Sequence, residues 1–257
     1  MPVGAGVSLM ISVQRWNRDR GLWPGLAALC AAAAFLCAHA FSVAGAAETR
    51  ATCIDDAMLV FDASGSMAAT DFPEGAPSRM DRVRQALTKV IPAATQTRRV
   101  GLMVYGPGPH TDTCKNVTLK LPPSANAGGR ILEMVDKLKP QGRTALTTSV
   151  QEAARILNHG EKPAVIIALT DGQDTCGGDA CSLARELKSA HPAITVHVIG
   201  YRLTPMTGIV RPFTERCLAD ETGGIFATAE TTEQLSEALS ETLGCPAVTL
   251  YVPKPAR

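Results

Sequence analysis

Three short stretches of this chain place oxygen-bearing side chains where an apolar run gives way to a turn. Ala57-Met58-Leu59-Val60-Phe61 is followed by Asp62-Ala63-Ser64-Gly65-Ser66. Ala164-Val165-Ile166-Ile167-Ala168-Leu169 is followed by Thr170-Asp171-Gly172-Gln173-Asp174. Between them lies Gly142-Arg143-Thr144, just ahead of a helical pattern. Asp62, Ser64, Ser66, Thr144 and Asp171 together offer two carboxylates and three hydroxyls. Oxygen-only donors suit a hard divalent cation, Mg²⁺ first and Mn²⁺ or Ca²⁺ after it. Five donors leave a six-coordinate ion under-filled, open to water and to one further anion.

Such residues are useful only if the chain brings them together. Apolar runs of five and six residues are too short for helices and fit strands buried on both faces. Further strands are expected at 98–105, 116–121, 194–199 and 225–227. The 116–121 strand reads as an edge strand closed off by Pro122-Pro123. Helical spacing predicts helices over 79–94, 130–138, 146–157, 181–190, 213–221 and 232–243. The last is capped by Gly244. Strand and helix alternate, which predicts a doubly wound, mostly parallel α/β sheet with one antiparallel edge strand and helices on both faces. In that architecture ligands bind beyond the carboxyl ends of the strands, where the acidic and hydroxyl residues fall.

Asp-x-Ser-x-Ser after a buried strand, a Gly-x-Thr turn before a helix, and an apolar strand ending Thr-Asp-Gly resemble the von Willebrand factor A domain family. The three motifs occur in that family's order, and the resemblance spans about residues 54–244. It implies a Rossmann-like fold and a metal-ion-dependent adhesion site. In that site Ser64, Ser66 and Thr144 would be hydroxyl ligands, with Asp62 and Asp171 acting directly or through water. It also implies a protein partner that offers a Glu or Asp carboxylate to the ion. Taken singly, the same residues have plain explanations: Ser64 and Ser66 can cap a turn, and Asp171-Gly172 is a common turn pair.

Other chemistries find less support. A phosphatase of the haloacid dehalogenase kind needs a second Asp where Ser64 stands. No G-x-S-x-G elbow, P-loop or G-x-G-x-x-G follows the first strand. A metal-dependent hydrolase remains the alternative reading, with Asp174 or His110 as the general base. His110 and Asp112 otherwise read as a solvated loop pair, and His197 as a satisfied sheet histidine. A calcium loop over 171–182 fails on ligand spacing.

The chain has 257 residues and 46% hydrophobic composition, enough for a full core. Its net charge is +1 and no basic stripe appears, so nucleic acid is not an expected partner. Residues 1–46 read as a secretory signal: arginines at 15, 18 and 20, an apolar run from Leu22, and Ala44-Gly45-Ala46 as the cleavage spacing. Uncleaved, the same run is long enough to anchor the chain in a membrane. Residues 47–53 are expected to form a lead-in, 54–245 the domain and 246–257 a tail, readable as a strand or as the stub of something absent; a further alternative makes the domain the N-terminal part of a larger adhesion or stress-related protein. A periplasmic or secreted location follows.

Behind the signal stand Cys53, Cys114, Cys176, Cys181, Cys217 and Cys245, an even set that predicts disulfides. Zinc is disfavoured because no C-x-x-C pair exists. Cys53 precedes the first strand and Cys245 follows the last helix, so both belong at the bottom and should pair. Cys176 and Cys181 share one loop and are expected to bridge locally. Cys114 and Cys217 are then left to each other.

Overall fold

The apolar run after Asp55 becomes β1 (Asp56–Asp62), buried from Ala57 onward. The computed structural model describes residues 53, 55–71, 75–157, 162–203 and 212–245. The signal over 1–46, almost all of the lead-in and the tail lie outside the described residues. After β1 come α1 (Arg79–Thr97), β2 (Val100–Tyr105), β3 (Val117–Ser124), α2 (Gly128–Asp136) and α3 (Leu146–Leu157). They are followed by β4 (Ala164–Thr170), α4 (Ala180–Ala190), β5 (Ile194–Tyr201), α5 (Arg216–Thr222), β6 (Phe226–Ala229) and α6 (Thr232–Leu243).

Among the described residues six strands form one sheet, in the order β3-β2-β1-β4-β5-β6. All neighbours are parallel except β2 and β3. The period of two along β1 separates two cores. Leu59 and Phe61 face the core that α1, α2 and α6 cover, whereas Met58 and Val60 face the core covered by α3, α4 and α5. β1 and β4 are adjacent at the sheet centre, paired from Asp56–Ala164 to Phe61–Leu169. Their following helices leave to opposite faces, so the cleft beyond Asp62 and Thr170 is the switch point where an open α/β sheet binds ligands.

Some expected boundaries move. β3 does not stop before Pro122-Pro123 but runs through both to Ser124. It pairs only with β2, so it is an edge, where a missing N–H is tolerated. The pairing is irregular at this point, with register shifts between Val100 and Met103. α1 continues past Ala94 to Thr97 and holds Pro92 within it; its start is fixed by a capping box between Ser78 and Asp81. α5 begins at Arg216 rather than Phe213, because Phe213 stacks on Phe226 at 5.6 Å. It closes at Gly223, whose φ of 76° is the left-handed cap that glycine favours.

The bottom of the domain is closed by charge and by covalent bond. Cys53 and Cys245 are joined, with Cα atoms 5.2 Å apart. Beside them Arg98 is buried, donating to both Asp55 carboxylate oxygens and to the Thr242 and Leu243 carbonyls at the end of α6. The guanidinium thus satisfies carbonyls that the helix leaves without partners.

His197, in β5, accepts the Ile225 N–H at its Nδ1, 2.8 Å away, which requires a neutral ring. Burial, with the Arg98 charge second, pushes its imidazole down to about 4, below the ordinary value of about 6.5. The lowered value means that this contribution is whole above pH 6.5 and is lost as pH falls towards 4. His197→Asn keeps an acceptor but does not titrate. The melting-temperature advantage of the wild type over this variant is expected to shrink between pH 6.5 and 4; an advantage constant across that range would disprove the assignment.

Candidate metal centre

Asp62 ends β1 fully buried. One of its oxygens accepts the Ser64 N–H at 2.8 Å, and the other accepts the Thr170 hydroxyl at 2.8 Å and the Asp171 N–H at 3.4 Å. Asp62 therefore ties its own loop to the end of β4. The Ser64 and Ser66 hydroxyls are 3.0 Å apart, and Ser66 donates to Asp171 Oδ1 at 2.7 Å. Ser64, Thr144 and Asp171 are all buried. The structure thus gathers Asp62, Ser64, Ser66 and Asp171 into one bonded series.

Thr144 joins them through backbone. The Gln141 N–H donates to the Ala63 carbonyl at 2.9 Å and the Gly65 N–H to the Gly142 carbonyl at 3.0 Å. This close approach needs glycine. At Gly142 (φ 81°) a Cβ would collide with the Gly106 carbonyl, and at Gly106 (φ 106°) with the carbonyls of Ala63 and Gln141. Thr144 then lines the same open cleft as Ser66 and Asp171, about 340 Å³ in volume, with Leu203 and Phe213 on its wall.

Two buried carboxylates from adjacent strand ends repel each other. Burial first, and the Asp62 charge next, push the Asp171 carboxyl up to about 6, against the pull of Ser66 and Arg79. A cation among these oxygens would relieve that repulsion, and every donor is a hard oxygen, so the residues fit a divalent ion of the Mg²⁺ class. The Arg79 contact is one that periodicity and spacing do not reveal: its Nη1 donates to Asp171 Oδ2 at 3.0 Å from the first position of α1.

The loop after β4 holds Thr144 in place. The Thr144 N–H donates to Thr175 Oγ1 and the Thr175 N–H to the Thr144 carbonyl, both at 2.9 Å. Asp174, considered above as a general base, spends both oxygens on backbone donors: Cys176 and Gly178 on one, Thr147 on the other. It caps the start of α3 from outside the helix. Its own N–H donates to the buried Glu215 carboxylate at 2.6 Å. The other such candidate, His110, is on the exposed loop before β3, where its backbone N–H is held by Asn116.

The rim disulfides differ from expectation. Cys176 bonds to Cys114, not to Cys181, and Cys181 bonds to Cys217. The clasp on Thr144 holds the Thr175-Cys176 turn beside the segment carrying Cys114, whose neighbour Thr113 accepts the Arg143 N–H at its Oγ1. Cys181 sits in the first turn of α4, which packs beside α5 on the same face and so meets Cys217. Sequence proximity is outweighed by the direction in which the loop runs. Three disulfides among the described residues mark a protein that folds outside a reducing cytoplasm. Among the described residues no helix is long and apolar enough to cross a membrane.

A doubly wound sheet with hydroxyl and carboxylate side chains at its switch point defines a class of α/β domain with a candidate cation site. Residues 57–173 match the family described as von Willebrand factor type A domain. The uncharacterized protein YwmC of Bacillus subtilis (strain 168) is 27% identical over 164 residues, covering 60% of this chain and 69% of its own. Among solved structures, a D319A mutant of the PilB minor pilin from Streptococcus sanguinis superposes with a TM-score of 0.57 at 16% identity, over 76% of this chain and 62% of that one. Proximal thread matrix protein 1 from the mussel byssus, with a zinc-occupied MIDAS motif, superposes with a TM-score of 0.51 at 20% identity, over 75% and 45%. These two likenesses are of fold.

Because Asp174 and Thr175 position Thr144 without joining the donor cluster, Asp174→Ala should act at a distance. It is expected to cost about 1 kcal/mol of stability through the lost helix cap and to weaken Mn²⁺ binding several-fold by calorimetry. Mn²⁺ affinity equal to wild type in a folded Asp174→Ala protein would refute this positioning role.

Proposed function

We propose that this chain is an extracytoplasmic binding module that holds a divalent cation, Mg²⁺ first and Mn²⁺ or Ca²⁺ after it. The donors would be Ser64, Ser66, Thr144, Asp62 and Asp171, and the module would capture a Glu or Asp carboxylate of a protein partner. The observation that carries this reading is convergence: donors from three separate loops meet at one cleft, with Ser66 bonded to Asp171 across the sheet's switch point. When bound, such an ion supplies an electrophilic point with an exchangeable position.

This chain's residues would divide the work. Asp62, fully engaged by Ser64, Thr170 and Asp171, orients the two strand ends and lends charge. Ser66 and Thr144, lining the cleft, present oxygens to the ion. The cleft has room for an incoming side chain, and Leu203 and Phe213 provide an apolar flank. The pilin of similar fold and the thread matrix protein whose MIDAS motif holds zinc support a binding role for such a domain. The oxygen-only donors here favour Mg²⁺ over zinc. The disulfides and the secretory pattern of residues 1–46 support delivery to the periplasm or beyond.

EDTA-stripped protein titrated with Mg²⁺ and Mn²⁺ is expected to give saturable heat. At a hundred times Kd the ion should stabilise the fold by about 2.7 kcal/mol. Absence of binding in the wild type, or binding unchanged after Asp62→Ala combined with Ser64→Ala, would rule the site out. A pull-down from the native compartment should recover a partner with Mg²⁺ and lose it with EDTA. Recovery unaffected by EDTA would rule out metal-mediated capture.

A further inference from the structure

Asp171 is held from two sides. Its Oδ1 takes the Ser66 hydroxyl, facing the candidate ligands. Its Oδ2 takes Nη1 of Arg79 at 3.0 Å, and the Asp171 side chain has no solvent exposure. The other edge of the same guanidinium forks onto Asp71, with Nε on Oδ2 at 2.8 Å and Nη2 on Oδ1 at 2.5 Å. Asp71 is nearly buried and forms a second ion pair, with Arg202 Nε at 2.9 Å. Arg202 lies 3.9 Å from Glu230 in turn. The capping box at Ser78 and Asp81 fixes the helix turn from which Arg79 projects. This is a placed charge rather than a drifting surface arginine, since a forked guanidinium keeps its geometry where a lysine ammonium would not.

The arrangement bears on a problem any such site has. Two buried carboxylates, Asp62 and Asp171, must coexist when no cation is present, and unpaired buried charge is strongly destabilising. Arg79 supplies one positive charge on the side of Asp171 away from the hydroxyls. The same charge opposes an arriving cation, because like charges in a partly buried site are poorly screened. Shared between Asp71 and Asp171, it also offsets part of the negative charge that Asp171 would lend a bound divalent ion.

We propose that Arg79 is a built-in counter-ion of the metal site: it stabilises the metal-free domain, lowers cation affinity, and leaves a bound ion electrophilic enough to take an anionic ligand. This rests on the reading of Asp62, Ser64, Ser66, Thr144 and Asp171 as the cation's ligands. Arg79 is a positioning and charge-setting residue and not itself a ligand.

The sign of the effect separates this role from a merely structural one. Loosening Asp171 would weaken metal binding, whereas removing an opposing charge strengthens it. Arg79→Gln is expected to lower the melting temperature of the EDTA-stripped protein and to tighten Mn²⁺ binding about tenfold, about 1.4 kcal/mol. The Mn²⁺-loaded variant should bind glutarate, a dicarboxylate probe, more weakly than the loaded wild type, read as loss of water relaxation enhancement. Arg79→Lys retains the charge and should keep the Mn²⁺ Kd within about threefold of wild type, which gives a test if the Gln variant does not fold. No Mn²⁺ binding in the wild type overturns the metal site and this proposal together. Mn²⁺ binding in the wild type with equal or weaker binding in Arg79→Gln, or a loss of tenfold or more in Arg79→Lys, overturns this proposal alone.

Discussion

The arrangement of the site depends on one buried carboxylate. Asp62 has no exposure, and a buried charge must be satisfied where it stands. Its partners come from its own turn and from the end of β4: the Ser64 N–H, the Thr170 hydroxyl and the Asp171 N–H. Satisfying Asp62 therefore sets the relative position of the two central strand ends. The turn after β1 is then obliged to point Ser64 and Ser66 towards Asp171. The same hydrogen bonds that solve a folding problem build the donor cluster.

Around that centre the loops are braced by contacts of differing kind. Backbone bonds dock the Gly142 turn onto Ala63 and Gly65. Side chains of Asp174 and Thr175 hold the start of α3 and Thr144. Disulfides join the turn after β4 to the segment before β3, and α4 to α5. Loops carrying functional groups usually lie at the low-stability end of a protein. Here covalent and hydrogen-bonded braces fall on the ligand-bearing rim. At the opposite end the Cys53–Cys245 bridge closes a loop of 192 residues in sequence separation, for which chain entropy gives about 5 kcal/mol.

The fold was legible because its central strands are apolar on both faces. Ala57–Phe61 and Ala164–Leu169 fit few structures other than interior parallel strands, and the helices between them carry clear amphipathic spacing. The donors were legible because hydroxyl and carboxylate residues interrupt those runs abruptly at strand ends. What was not legible depends on tertiary direction. Cys176 is five residues from Cys181 but bonds to Cys114, because the Thr175 clasp ties its turn to Thr144, beside the segment that carries Cys114. β3 passes through two prolines because an edge position forgives them. Residue 79 opens the helical pattern over 79–94, and nothing in local spacing shows that its guanidinium reaches both Asp71 and, 92 residues away, Asp171.

These features share one electrostatic logic. A site that is to bind a cation weakly enough to leave charge for a second ligand must hold few carboxylates, and must hold them without the cation. Hydroxyls at Ser64, Ser66 and Thr144 add donor oxygens without adding negative charge. Thr170 and the backbone N–H groups of Ser64 and Asp171 offset the burial of Asp62 without adding positive charge. Of the two carboxylates only Asp171 is paired with a cation, one it shares with Asp71, and burial and Asp62 press it towards protonation. Neutral donors surround one carboxylate and a single cation backs the other, so the pair can stay buried in the metal-free fold while its open side remains anionic.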